Sequence, residues 1–106
     1  MNFIPTEIPG VIIIEPKVFY DPRGYFYESY KKEIFDSKIG IFDVVQENES
    51  KSTYGVLRGI HFQKGDNAQA KLVRVLKGKV IDVAVDLRKS SPTFTKYVMV
   101  ELSDEN

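Results

Sequence analysis

Cysteine and tryptophan are absent from this 106-residue chain, and histidine occurs once, at His61. Without cysteine there is no disulfide framework and no thiolate metal site, a composition that fits a reducing cytoplasm. One histidine among scattered carboxylates also lacks the clustered ligands of a zinc or iron centre, so no metal is expected. Net charge is missing as well: fifteen basic and fifteen acidic side chains cancel. That removes any sequence-independent attraction to nucleic acid or to a membrane surface. No apolar run approaches the length of a bilayer span, and the chain does not open with a basic region followed by an apolar stretch. Walker and dinucleotide glycine loops, nucleophile motifs and basic-aromatic interleaving are not found either.

What remains is an ordinary soluble composition, 42% hydrophobic and 28% charged, in a chain whose length suits a single domain over residues 1–106. Thirteen aromatic residues, all Tyr or Phe, suit sheet surfaces and flat ligands. Short extended runs punctuated by Gly and Pro predict an all-β, mainly antiparallel sandwich or barrel of about seven strands. Pro9-Gly10 is a turn before the apolar run Val11–Ile14, and Pro16 ends that run or confines it to an edge. Val18–Tyr20 leads into Asp21-Pro22-Arg23-Gly24, a strong turn signal, after which Tyr25–Glu28 resumes an extended reading. One short helix is predicted near residues 29–37, with Ser29 as N-cap and its end near Gly40. Phe42–Gln46 and the segment around His61 read as strands, followed by a loop over Lys64–Gln69. Lys71–Leu76 and Lys79–Leu87 read as two longer strands, and Phe94–Leu102 as a last one after the Lys89–Pro92 loop. Ser103–Asn106 is turn chemistry of the kind that joins one strand to the next, which suggests the front part of a larger fold.

If Lys77-Gly78 is a two-residue hairpin loop, Leu76 lies opposite Lys79 and the two strands sort their own faces. One face then carries Leu72, Arg74 and Leu76 with Ile81, Val83, Val85 and Leu87. The other mixes Lys71, Val73 and Val75 with Val80, Asp82, Ala84 and Asp86, which suits either a pocket lining or a solvent face. A slip of one residue would exchange the two faces.

His61 is the natural candidate for a general base, because imidazole titrates nearest neutrality, although a single histidine is more often structural. Strict alternation puts Arg58 and His61 on opposite faces, so both can enter one site only if the strand bulges, and Gly59 lies between them. Lys71 is a candidate to stabilise an enolate or alkoxide, or else a strand-end lysine in solvent. Asp82 could orient a basic side chain or simply pair with Lys71. Arg23 suits a phosphate and Glu28 a base edge, against the plainer reading of both as surface turn residues. Gln46 and Asn48 offer amide groups for a nucleobase or sugar hydroxyls, or caps for the adjacent turn.

These candidates occur together in one family. The words Ile14-Glu15-Pro16-Lys17-Val18, Asp21-Pro22-Arg23-Gly24-Tyr25-Phe26, Val45-Gln46-Glu47-Asn48-Glu49-Ser50 and Gly55–Gln63 stand in order along the chain. Lys71-Leu72-Val73-Arg74, Gly78–Arg88, Ser90-Ser91-Pro92-Thr93 and Leu102–Asn106 continue them. In this the chain resembles the dTDP-4-dehydrorhamnose 3,5-epimerase family, and the resemblance covers essentially its whole length. It implies a cupin-type jelly roll, incomplete at the C-terminus, because the family continues past Ser103–Asn106 into a second half. That half supplies a tyrosine acid and an aspartate that orients the histidine, leaving Asp82 as the orienting candidate here. The resemblance further implies epimerisation of a dTDP-linked 4-keto-6-deoxy sugar, with His61 as base and Lys71 on the 4-oxyanion. Arg58 would hold the diphosphate or sugar, and Arg23, Glu28, Gln46 and Asn48 the dTDP part. No cofactor is implied, and the expected assembly is a homodimer with exchanged N-terminal strands. Two alternatives stand beside this: a related ketoisomerase or mono-epimerase, and a truncated, non-catalytic sugar-nucleotide-binding module.

Overall fold

A computed structural model describes residues 1–106. The chain divides into two compact units, Met1–Ile41 with Arg74–Asn106, and Phe42–Val73. All six strands and the α-helix belong to the first unit, in three separate two-stranded antiparallel sheets.

Strand β1 (Asn2–Pro5) pairs with β2 (Ile12–Glu15), with Phe3 opposite Ile14 and Ile4 opposite Ile13. The connecting loop closes on itself. Thr6 accepts a bond from the Ile8 amide at 3.2 Å and donates its hydroxyl to the Val11 carbonyl at 2.8 Å. Gly10 supplies the left-handed backbone (φ +90°) that the loop needs, and Ile8 is buried beneath it. Strands β3 (Phe19–Asp21) and β4 (Gly24–Phe26) form a tight hairpin whose two-residue loop is Pro22-Arg23. The Asp21 carboxylate accepts the Arg23 amide at 2.8 Å, the local bond by which Asp opens a turn.

Helix α1 runs from Lys32 to Lys38, overlapping the predicted region near 29–37 but starting later and ending one residue beyond it. Lys31, with an extended backbone, is the N-cap, and no side chain caps it; Ser29 does not serve. The reason is packing. Tyr30, just outside the cap, sets its ring 4.7 Å from that of Phe35 in the first full turn, a hydrophobic staple that fixes the entry of the chain. Phe3 meets the other side of Phe35 edge-on, with centroids 5.5 Å apart, which ties the helix to β1. Glu33 in the first turn, Lys38 in the last and the Lys32–Asp36 pair at 2.9 Å suit the helix dipole and i,i+4 spacing. Gly40, at φ +133°, donates to the Phe35 carbonyl and terminates the helix.

Strand β5 (Lys79–Val85) pairs with β6 (Tyr97–Ser103) over seven residues, with Asp82 opposite Val100. Here the expected hairpin of Lys71–Leu76 with Lys79–Leu87 is corrected. Alternation along β5 is as read, but its partner is the later run, and residues 71–76 form no ladder. Alternation fixes which side chains share a face; it does not choose the partner strand. The choice is made at both ends of the ribbon. Gly78 and Asp104 exchange two hydrogen bonds, from the Gly78 amide to the carboxylate at 3.0 Å and from the Asp104 amide to the Gly78 carbonyl at 3.1 Å.

At the opposite end, Asp86 is buried and its carboxylate collects four side-chain bonds. Ser91 donates at 2.5 Å, Thr93 at 2.6 Å, and Arg88 twice at 2.9 Å. Arg88 also donates to the Pro9 carbonyl at 2.8 Å, so this corner clamps the β1–β2 loop to the root of the ribbon. The Arg88 guanidinium, then the two hydroxyls, hold the Asp86 carboxyl far below the usual carboxylate range, and the pairing raises Arg88.

The second unit has one 3-10 turn at Gly65–Asn67 and a turn closed by the Val56 amide on the Thr53 carbonyl at 3.3 Å. Neither Phe42–Gln46 nor the His61 segment pairs as a strand, so the expected alternation of Arg58 against His61 does not apply. The chain as a whole exposes 9602 Å². Ile8 and Phe35 are its only buried hydrophobic residues, and neither is fully enclosed.

Candidate functional site

The β3–β4 register determines what surrounds Arg23 and Glu28. Opposite residues share a face, so Tyr20 and Tyr25 stand together and Tyr27 joins them two residues on. Their rings form a row, with centroids 6.1 and 5.9 Å apart. Phe19 and Phe26 occupy the opposite face. Arg23, at the hairpin tip, is 90% exposed and forks onto Asp21, its Nη2 reaching Oδ2 at 2.6 Å. That bond lowers the Asp21 carboxyl below its ordinary value. A small open concavity of about 250 Å³ lies between Asp21, Arg23, Gly24, Tyr25 and Phe26.

Glu28 belongs to a second, larger concavity of about 360 Å³, with Lys17, Phe19, Phe26 and Ile34 among its walls. Lys17 sets its ammonium 5.1 Å from the centre of the Phe19 ring. Phe26 borders both concavities, so one aromatic side chain separates a guanidinium from a carboxylate. That arrangement can offer a flat apolar wall, an anion partner and a hydrogen-bond acceptor. Phe26 and the tyrosine row were not singled out from the sequence. Reading Pro22-Arg23 as a two-residue loop would have placed them.

Gln46, Asn48, Arg58, His61 and Lys71 lie in the second unit and are all exposed. Gln46 directs its amide to the Asn48 carbonyl oxygen at 3.5 Å. Arg58 is held by Ser52, from Nε to Oγ at 2.9 Å, and by the Lys51 carbonyl at 3.4 Å. His61 and Lys71 make no side-chain hydrogen bond within the chain, which leaves both free for a ligand. Asp82 sits on β5 in the first unit, exposed and in no ion pair. No group of three or more His, Asp or Glu side chains converges as a metal centre.

An antiparallel β protein carrying a free histidine, a free lysine and exposed arginines has the parts of a proton-transfer site for an anionic ligand. The sequence model of the family described as dTDP-4-dehydrorhamnose 3,5-epimerase matches residues 5–106. A dTDP-4-dehydrorhamnose 3,5-epimerase of Shigella flexneri is 59% identical over 107 residues, spanning 100% of this chain and 59% of that protein. The crystal structure of the corresponding enzyme from Elizabethkingia anophelis superposes with a TM-score of 0.93 at 55% identity, covering 100% of this chain and 58% of that one. A structure from Legionella pneumophila, described as dTDP-6-deoxy-D-glucose-3,5-epimerase in complex with dTDP-4-keto-L-rhamnose, gives 0.91 at 52% identity. It covers 99% of this chain and 56% of that one. The chain therefore belongs to the dTDP-4-dehydrorhamnose 3,5-epimerase family and shares the cupin-type β fold of its members. It spans about three fifths of the length of these relatives.

Proposed function

We propose that this chain carries the base and the nucleotide-binding groups of an epimerase acting at C3 and C5 of dTDP-4-dehydro-6-deoxyglucose, giving dTDP-4-dehydro-L-rhamnose. The observation that supports this best is the family match over residues 5–106, a range that contains every candidate residue. The solved relative with dTDP-4-keto-L-rhamnose bound adds the ligand class.

The chemistry follows from the ketone. Hydrogens at C3 and C5 flank the C4 carbonyl and are acidified by it, so a base and an oxyanion partner suffice and no cofactor is called for. His61 removes the proton, the C–H electron pair forms the carbon–carbon double bond of the enolate as the carbonyl π pair moves onto O4, and Lys71 neutralises the resulting O4 oxyanion. Return of a proton from a water molecule to the opposite face of the enolate inverts the carbon, and the hydroxide left behind is neutralised by the proton that His61 took. Arg58 takes the diphosphate or sugar, while Arg23, Glu28, Gln46 and Asn48 hold the dTDP portion. To bind a phosphate, Arg23 exchanges its bond to Asp21 for one to the ligand. Asp82 orients the histidine. The working form is a homodimer with exchanged N-terminal strands in the cytoplasm; no helix is long and apolar enough to cross a membrane.

A second reading is favoured by the two concavities: a sugar-nucleotide-binding module without turnover, since they are lined by Arg23 and Glu28 and by neither His61 nor Lys71. One experiment separates the two. The chain is incubated with dTDP-4-dehydro-6-deoxyglucose, products are resolved chromatographically, and dTDP affinity is measured by calorimetry in parallel. The epimerase reading predicts a new sugar nucleotide, lost in His61→Ala with dTDP affinity kept. Binding without product supports the module, and absence of both refutes the two readings together.

A further inference from the structure

Continuing the β3–β4 register two residues past its ladder sets Lys17 against Glu28, as Phe19 is set against Phe26. Opposite charges that face each other across a hairpin ordinarily pair. Lys17 and Glu28 do not. They wall the same concavity, yet neither forms an ion pair or a side-chain hydrogen bond. The Lys17 ammonium lies instead against the face of the Phe19 ring, 5.1 Å from its centre. That contact holds the cation in place and leaves its N–H donors unused.

The concavity therefore has a fixed donor on one wall, a free carboxylate on the other and two aromatic rings between them. Its volume of about 360 Å³ falls within the roughly 300–1,000 Å³ of small-molecule sites, whereas the about 250 Å³ beside Arg23 falls below that range. A free phosphate is a poor occupant, because the Glu28 carboxylate in the same concavity repels it. A sugar has no flat face to set against the phenylalanines. A pyrimidine imide has each feature required: a ring plane for Phe26, an N3–H for the carboxylate, and an adjacent carbonyl for the ammonium.

We propose that Lys17 is a further base-contacting residue of the nucleotide site: its ammonium donates to a ring carbonyl of thymine while Glu28 accepts the neighbouring N3–H. Phe19 is then a positioning residue, acting through the cation that it holds. The inference rests on the reading of Glu28 as part of the dTDP site and adds Lys17 to it.

The test is calorimetry of the 106-residue chain and its variants with dTDP and with inorganic pyrophosphate, which carries the charge of the ligand without its base. Lys17→Met keeps the length of the side chain and removes the ammonium. It is expected to weaken dTDP about tenfold, the scale of a hydrogen bond from a charged donor, and to leave pyrophosphate unchanged. Lys17→Arg should restore most of the dTDP affinity, which a merely structural role for the lysine stem would not require. Arg23→Ala, at the hairpin tip, should weaken both ligands alike. If pyrophosphate alone does not bind, the loss of dTDP affinity and its rescue by arginine decide the matter by themselves. Equal losses for the two ligands in Lys17→Met would make Lys17 a phosphate contact and overturn the proposal, as would unchanged dTDP affinity. Either result, with dTDP still bound by the unaltered chain, leaves the nucleotide-site reading standing. No binding of dTDP by the unaltered chain refutes that reading and this proposal together.

Discussion

Phe35 is the point at which the N-terminal half of the first unit is most open to perturbation. Its ring is 8% exposed and lies between Phe3 at 5.5 Å and Tyr30 at 4.7 Å, so it joins β1, the entry to α1 and the helix itself. Phe35→Ala removes a buried aromatic ring, leaves a cavity and breaks both ring pairs. Core substitutions of this kind cost about 3–5 kcal/mol, of which each aromatic pair accounts for about 0.5–1.5 kcal/mol. The site is at the rim of a small core and can partly collapse, so the lower end, about 3 kcal/mol, is expected. For a domain of this size that lowers Tm by roughly 12–24 °C, at about 4–8 °C per kcal/mol. Phe35→Leu keeps most of the buried volume and should cost less than half as much. Urea melts followed by circular dichroism would measure both variants. A loss below about 1 kcal/mol for Phe35→Ala would refute the idea that this ring anchors the helix to β1, since that is the scale of a surface substitution rather than a core deletion.

Two other perturbations follow from the same reasoning. Asp86 has its carboxyl held far below the ordinary range by Arg88 and by the Ser91 and Thr93 hydroxyls, so its contribution is complete above the unfolded pKa, near 4. Stability should fall as the pH drops below about 4 toward the depressed folded value. Asp86→Asn should melt lower at pH 7 and lose most of that acid slope in a Tm-against-pH series; equal melting of the two proteins at pH 7 would contradict it. Arg23→Ala should weaken dTDP binding about tenfold by calorimetry, the scale of a charge-assisted hydrogen bond at a solvent-exposed position. Unchanged affinity would remove Arg23 from the nucleotide site.

Local chemistry was legible from the sequence wherever a turn residue dictated the backbone. Asp21–Gly24 is the hairpin tip it was read to be, Lys89–Pro92 is a loop, and Ser103–Asn106 is a turn closed by Asn106 on the Ser103 amide at 2.8 Å. What escaped was decided by partners distant in sequence. The start of α1 moved from Ser29 to Lys32 because the Tyr30 ring packs at a tilt against Phe35, an effect that capping preference does not contain. Strand β1 escaped because four residues ending in proline give too short an alternation to read. The ribbon's partner was misread because Lys71–Leu76 and Tyr97–Ser103 both present alternating apolar residues, and only Gly78–Asp104 and the Asp86 corner decide between them. Of the site, composition isolated His61 alone. Arg58, Lys71, Asp82, Arg23, Glu28, Gln46 and Asn48 entered as candidates from their side-chain chemistry, each beside a plainer reading, the family resemblance gave them roles, and the structure adds Phe26 and the tyrosine row beside Arg23.

The central claim is that His61 acts as a base on carbons next to a ketone. It is tested most directly by proton NMR of dTDP-4-dehydro-6-deoxyglucose with this chain in deuterated buffer. The account predicts deuterium at both C3 and C5, and none above background with His61→Ala. Exchange that survives the loss of His61, or no exchange with either protein, would contradict it.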